Sequence, residues 1–159
     1  MTSKPFTTCL WFDDQGEEAA QFYTSIFKDS AITGVTRYTE AGPGEAGKVM
    51  TVEFTLNGQN FTALNGGPQY AFSPAVSIVV EGADQAEVDY YWDRLTEGGT
   101  EVACGWVADK YGLSWQIVPT AFYAMMRDPD PAKVARVTAA MLRMKKLDIS
   151  ELDRAYAGQ

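Results

Sequence analysis

The sequence predicts an α+β fold made of two βαβββ units in tandem, followed by a helical tail. Two observations predict it. A strand, an acidic pair three residues apart and an amphipathic helix occur early in the chain, at Asp14 and Glu17, and again at Asp84 and Glu87. Each helix is then followed by a run of strand-like segments punctuated by Gly, Asn and Pro.

In the first unit, Phe6 to Phe12 reads as a strand with Leu10 and Phe12 on one face and Thr7, Cys9 and Trp11 on the other. The helix that follows carries an apolar stripe of Ala19, Phe22, Tyr23, Ile26 and Phe27. That stripe belongs on the Leu10/Phe12 side, which leaves Trp11 and Cys9 facing away from the helix. Ile32 to Tyr38 reads as the second strand, 41–47 as a polar, glycine-rich loop and Lys48 to Leu56 as the third strand. Asn57-Gly58 makes a hairpin turn into a fourth strand, Gln59 to Asn65, which ends in Asn65-Gly66-Gly67-Pro68.

The second unit opens with a strand over Ser73 to Val80. Val88, Tyr91, Trp92 and Leu95 stripe its helix, and Gly98-Gly99 stops it. Glu101 to Trp106 and Leu113 to Val118 read as strands, with a shorter one around Val107 to Lys110 and Pro119 as a stop. The tail contains a short helix from Thr120 to Arg127, a helix opened by Asp130-Pro131 and a last helix from Asp148 to Ala157. It is expected to close over the end of a sheet or to enter a dimer contact. The chain reads as a single domain, with units over about 5–68 and about 72–119 and a tail over about 120–159.

Composition excludes several functions. A net charge of −8 on 159 residues argues against a nucleic-acid or anionic-membrane partner. The apolar runs are too short to span a bilayer, and the N-terminal residues lack an apolar signal segment, so a cytoplasmic location is expected. There is no histidine. Ser-His-Asp and Cys-His mechanisms are therefore excluded, and the commonest ligand of zinc and iron is absent. Cys9 and Cys104 read as buried free thiols, since a structural disulfide is not expected in a cytoplasmic chain, and nothing near Cys9 in sequence lowers its pKa.

Candidate ligand-binding residues are Trp11, Asn65, Gln116 and Cys9. Trp11 either lines a pocket or fills a core. Asn65 is either a left-handed turn residue or a pocket amide. Gln116 lies mid-strand between Trp115 and Ile117, where its amide must bond a sheet neighbour or line a cavity. Trp115, flanked by Leu113 and Ile117, reads as core.

Three segments carry a resemblance to a known family. They are Leu10-Trp11-Phe12-Asp13 with Glu17-Glu18-Ala19-Ala20-Gln21-Phe22-Tyr23, then Phe61 to Pro68, then Gly105 to Pro119. On these the chain resembles a PhnB-like protein of the vicinal oxygen chelate superfamily, with glyoxalase I, bleomycin-resistance proteins and extradiol dioxygenases. The resemblance implies a glyoxalase/bleomycin-resistance-like fold, with βαβββ units curled into a cup-shaped mixed sheet, and a homodimer. It places the superfamily's metal-ligand positions near Thr7 or Cys9, near Ala63 or Asn65, near Pro74 or Val76, and at Gln116. Neutral amides without imidazole or carboxylate partners are poor ligands for a transition metal, so no metal and no other cofactor is expected.

The function expected is a small-molecule-binding cup protein, with an apolar or planar ligand. The alternative is a glyoxalase- or dioxygenase-like enzyme. A methyltransferase label is common for such sequences. It lacks support in the residues, because the first strand-to-helix connection holds acids where a cofactor-binding glycine loop would be needed.

Overall fold

The structure is a computed structural model describing residues 4–159. Two compact units emerge, one running to Ala71 and one from Phe72 to Gln159, the tail included.

Unit 1 contains β1 (Thr7–Phe12), α1 (Gly16–Ile26), β2 (Ala31–Arg37), β3 (Val49–Leu56) and β4 (Gln59–Asn65). Its sheet has the order β1-β4-β3-β2, with β1 parallel to β4 and the other pairs antiparallel. Asn57 and Gly58 take φ of 47° and 78°, the double left-handed geometry that a two-residue hairpin demands. The α1 residues Ala19, Ala20, Tyr23 and Ile26 are buried, as are Leu10, Phe12, Val52, Phe54, Phe61 and Ala63 of the strands. The Phe54 ring stacks on Phe61 at 5.4 Å and on Tyr23 at 6.3 Å. Each such ring contributes on the order of 1.5–3 kcal/mol by leaving water. Phe22 and Phe27 stay half-buried at the border of the stripe.

Unit 2 repeats the plan with β5 (Ser77–Gly82), α2 (Gln85–Thr96), β6 (Thr100–Glu101), β7 (Trp106–Ala108) and β8 (Ser114–Pro119), in the order β5-β8-β7-β6. It continues into α3 (Thr120–Met126), α4 (Pro131–Met141) and α5 (Ile149–Ala157). The tail helices share a core of Met125, Val137, Ala140, Met144, Leu147 and Leu152. Asp130 and Asp148 cap α4 and α5. The α+β class, the two βαβββ units and the C-terminal helices agree with the sequence.

Several boundaries differ. The strand expected from Ser73 begins at Ser77, since 74–76 form a turn at Pro74. The strand expected over Glu101 to Trp106 is broken into β6, a turn and β7, because Cys104 and Gly105 adopt left-handed φ of 59° and 81°. β8 stops at Pro119, as expected, one residue later than Val118, and Pro119 is paired opposite Gly82. Asp14 does not cap α1: the N-cap position is Gln15, which makes no side-chain cap bond. In α2 the capping box forms, with the Glu87 N–H donating to Asp84 Oδ1 at 2.9 Å and the Ala83 N–H to Glu87 Oε2 at 2.9 Å.

Candidate functional site

The α1 cap comes from another strand, and it leads to a cavity. Asn65 pairs with Phe12 across β1 and β4, so its side chain lies on the helix face of the sheet, 91% removed from solvent. Its Oδ1 accepts the Gly16 N–H at 2.7 Å, which satisfies one of the open donors at the start of α1. Its Nδ2 donates to Val49 O at 3.2 Å. The Asn65 backbone carbonyl accepts the Tyr38 hydroxyl at 2.6 Å. One buried amide thus ties the start of α1 to the start of β3, and Tyr38 ties in the loop after β2. Asn65 is a strand residue, and the left-handed turn conformation open to it in the sequence is not adopted.

Above this floor is an open cavity of about 500 Å³, lined by residues of unit 1. Asp13, Asp14 and Glu17 form one wall; Tyr38, Gly44, Glu45 and Lys48 of the β2–β3 loop form another; Asn65, Gly66, Gly67 and Gln69 complete it. Lys48 pairs with Glu45 at 2.7 Å. That hydrogen bond, the Glu45 charge and the Asp14 carboxylate hold the Lys48 ammonium above its ordinary pKa. Lys48 is a cation at neutral pH.

Trp11 supports this wall without lining it. Its Nε1–H donates to Gly67 O at 2.8 Å, and its ring meets Tyr70 edge-on at 5.0 Å. A Cβ on Gly66 would lie 2.2 Å from the Trp11 ring, so only glycine lets the turn lie flat on the indole. Cys9 is exposed, opposite Thr62 on the sheet face away from α1. Partial desolvation by its strand neighbours pushes its thiol up, away from the reactive thiolate. Gln116 belongs to unit 2, where its Nε2 donates to Ser77 Oγ of the neighbouring β5 at 2.9 Å. Trp115 is core, and its Nε1–H donates to the buried Asp109 Oδ2 at 2.8 Å.

Of the four candidates, Trp11 and Cys9 share the open face of the unit 1 sheet and Asn65 lies on the opposite face. Only Asn65 lines the cavity. Nothing in the sequence places Tyr38 or Lys48 beside it, and Asp14 and Glu17 read there only as the signature of a helix start. The glycine-rich 41–47 loop and the Asn65-Gly66-Gly67 turn were both visible, but their meeting is a tertiary fact.

The positions implied for a divalent metal do not fit one. Both polar atoms of the Asn65 amide are engaged, the Gln116 amide donates to a hydroxyl, and Cys9 lies exposed on the sheet face away from Asn65. Among the described residues, no group of three or more His, Cys, Asp or Glu is placed to hold a metal ion.

Comparison with known proteins adds the lineage. A family model described as 3-demethylubiquinone-9 3-methyltransferase matches residues 4–118. A solved structure from Bacillus cereus, described as a putative 3-demethylubiquinone-9 3-methyltransferase and PhnB protein, is 36% identical. The match covers 74% of this chain and 100% of that one, with a TM-score of 0.67. A Pseudomonas aeruginosa protein is 18% identical over 74% of this chain and 98% of its own, with a TM-score of 0.61, and shares the fold. No curated protein matches. The family match spans both βαβββ units and stops where the helical tail begins, and on it the chain belongs to the PhnB-like family that carries the demethylubiquinone methyltransferase description.

Proposed function

We propose that the chain is a small-molecule-binding protein that works without a bound transition metal, and that its ligand site is the unit 1 cavity. The observation that carries this is the cavity itself. Its volume of about 500 Å³ falls in the range of small-molecule sites, and its floor is fixed by three hydrogen bonds at Asn65 rather than left to a mobile side chain. The lining combines apolar surface with four carboxylates and one lysine, which suits a small planar ligand whose edge carries hydrogen-bond donors. A homodimer and a cytoplasmic location remain part of this reading. Among the described residues, no helix is long and apolar enough to cross a membrane.

The family description names methyl transfer, but the residues around the cavity do not support it. The β1–α1 connection is Asp13-Asp14-Gln15, with no glycine loop to admit a nucleotide-bearing methyl donor, and each sheet is mixed rather than parallel. A fragment screen by amide NMR on the full chain tests the reading. Binders are expected to shift Lys48, Val49, Gly66 and Gly67 together, and Tyr38→Phe is expected to weaken them by loosening the loop. Binders that cluster elsewhere would remove the cavity from consideration. Methyl transfer from S-adenosylmethionine to a demethylated quinol would replace the proposal with the activity in the family description.

A further inference from the structure

Unit 2 ends its hairpin early. β6 and β7 have 2 and 3 residues where β2 and β3 have 7 and 8. The missing end is supplied from far along the chain. The Cys104 N–H donates to Met144 O at 2.9 Å and the Gly105 N–H to Lys145 O at 2.7 Å. Both donors sit in the left-handed region. A Cβ on Gly105 would lie 2.7 Å from Ile117 O and 3.2 Å from Leu147 Cγ and Cδ1, so the β8 backbone and Leu147, 1% exposed, together take the space of a side chain there. Gln85 brackets the next stretch with both ends of its amide: Nε2 donates to Leu147 O at 3.2 Å, and Oε1 accepts the Ile149 N–H at 2.8 Å. Lys146 pairs with Asp89 at 2.7 Å and Lys145 with Glu101 at 3.5 Å.

Unit 1 leaves the corresponding end open. Gln85 follows Asp84 at the start of α2 as Gln15 follows Asp14 at the start of α1. Pro119 pairs with Gly82 at the end of β8 as Asn65 pairs with Phe12 at the end of β4. At that end unit 1 has its cavity, and unit 2 has residues 144–149, held mainly through their backbone.

We propose that unit 2 is a peptide-binding groove occupied in cis by the chain's own segment Met144–Ile149, which plugs the sheet end that unit 1 keeps open. The segment bends at Lys145 and Lys146 and enters α5 at Ile149. Main-chain recognition at four points with Leu147 as the buried apolar anchor is how a groove holds a peptide of fixed shape. The segment lies beyond residues 4–118, the stretch that the family model matches. The proposal stands whether or not the unit 1 cavity takes a ligand.

Amide hydrogen exchange on the full chain tests it. In Leu147→Ala, the Cys104, Gly105 and Ile149 amides are expected to exchange at least about tenfold faster, together, while Gly16 and Val52 of unit 1 keep their rates. The uncovered groove is expected to take up anilinonaphthalene sulfonate, and an excess of a synthetic peptide of residues 143–152 should displace the dye and restore protection. Gln85→Ala, which removes the bracket without hollowing the tail core, should speed the same three amides to a smaller degree. Wild-type protection of these amides in both variants would overturn the proposal. So would loosening of unit 1 to the same extent in Gln85→Ala, or dye that the peptide does not displace.

Discussion

Asp109 turns its carboxylate inward at the β7–β8 turn and is 3% exposed. Its Oδ1 accepts the N–H groups of Tyr111 and Leu113 at 2.9 and 3.1 Å, and its Oδ2 accepts the Trp115 indole N–H at 2.8 Å. Three donors converge on one buried anion, which suits a carboxylate and no neutral side chain. In Asp109→Asn the amide oxygen can keep the two backbone bonds. The amide nitrogen then faces the indole donor, and one buried bond becomes a donor–donor contact. A loss of about 2 kcal/mol is expected, read as a lower denaturation midpoint at unchanged m-value. A loss below about 0.5 kcal/mol would mean that Asn turns outward and the bonds contribute little. In the sequence Asp109 stands just before Tyr111-Gly112, where solvated turn residues are common. Its burial depends on Trp115 lying beneath it, which no local pattern encodes.

At the scale of elements, two helices with the same acidic signature are started in different ways. Asp84 caps α2 through the Glu87 N–H, while Asn65 satisfies Gly16 of α1 from across the sheet. Asp84→Ala should therefore cost about 1 kcal/mol and Asp14→Ala almost nothing, measured as paired denaturant midpoints. Equal losses would restore Asp14 as a cap. The tail contact is an element-scale matter too. The Lys146 hydrogen bond, then that of Gln85, holds the Asp89 carboxyl below its ordinary pKa, and the Asp89 hydrogen bond holds the Lys146 ammonium above its own. The Asp89 contribution is complete above the ordinary carboxylate range and is lost as pH falls through its depressed value. The Lys146 contribution is complete below the ordinary lysine range and is lost only as pH rises through its elevated value. The difference in melting temperature between wild type and Asp89→Asn should then be constant between about pH 5 and 9 and shrink below about pH 4. A difference that changes near neutrality would point to another titrating partner.

For the whole molecule, the decisive contrast is between two units of one plan that end differently. Unit 1 has a long β2–β3 hairpin and an open cavity with four carboxylates and one lysine in its walls. Unit 2 has a short hairpin whose end is closed by residues 144–149. The metal-free reading makes a prediction at this scale. A metal bound to the native state would stabilise it in proportion to the logarithm of its concentration over Kd. Excess EDTA should therefore leave the melting temperature of freshly purified protein unchanged. A fall on chelation, reversed by nickel, zinc or iron, would show that ligands other than Asn65, Gln116 and Cys9 hold a metal.

The sequence by itself determined the order of elements and the class of fold. Strand alternation, helical stripes and glycine punctuation are local patterns, and each is set by the backbone geometry of a few neighbouring residues. Trp115 as core and Asn57-Gly58 as a hairpin turn are of this kind. Only the tertiary structure decided what Asn65, Trp11, Asp109 and Gln85 do. Asn65 reaches a helix start 49 residues away, Trp11 a turn carbonyl 56 away, and Gln85 a tail amide 64 away. A side-chain amide has the same donors and acceptor in every context, so its partner is fixed by which strands pair and where the chain returns, and that is settled only when the sheet forms.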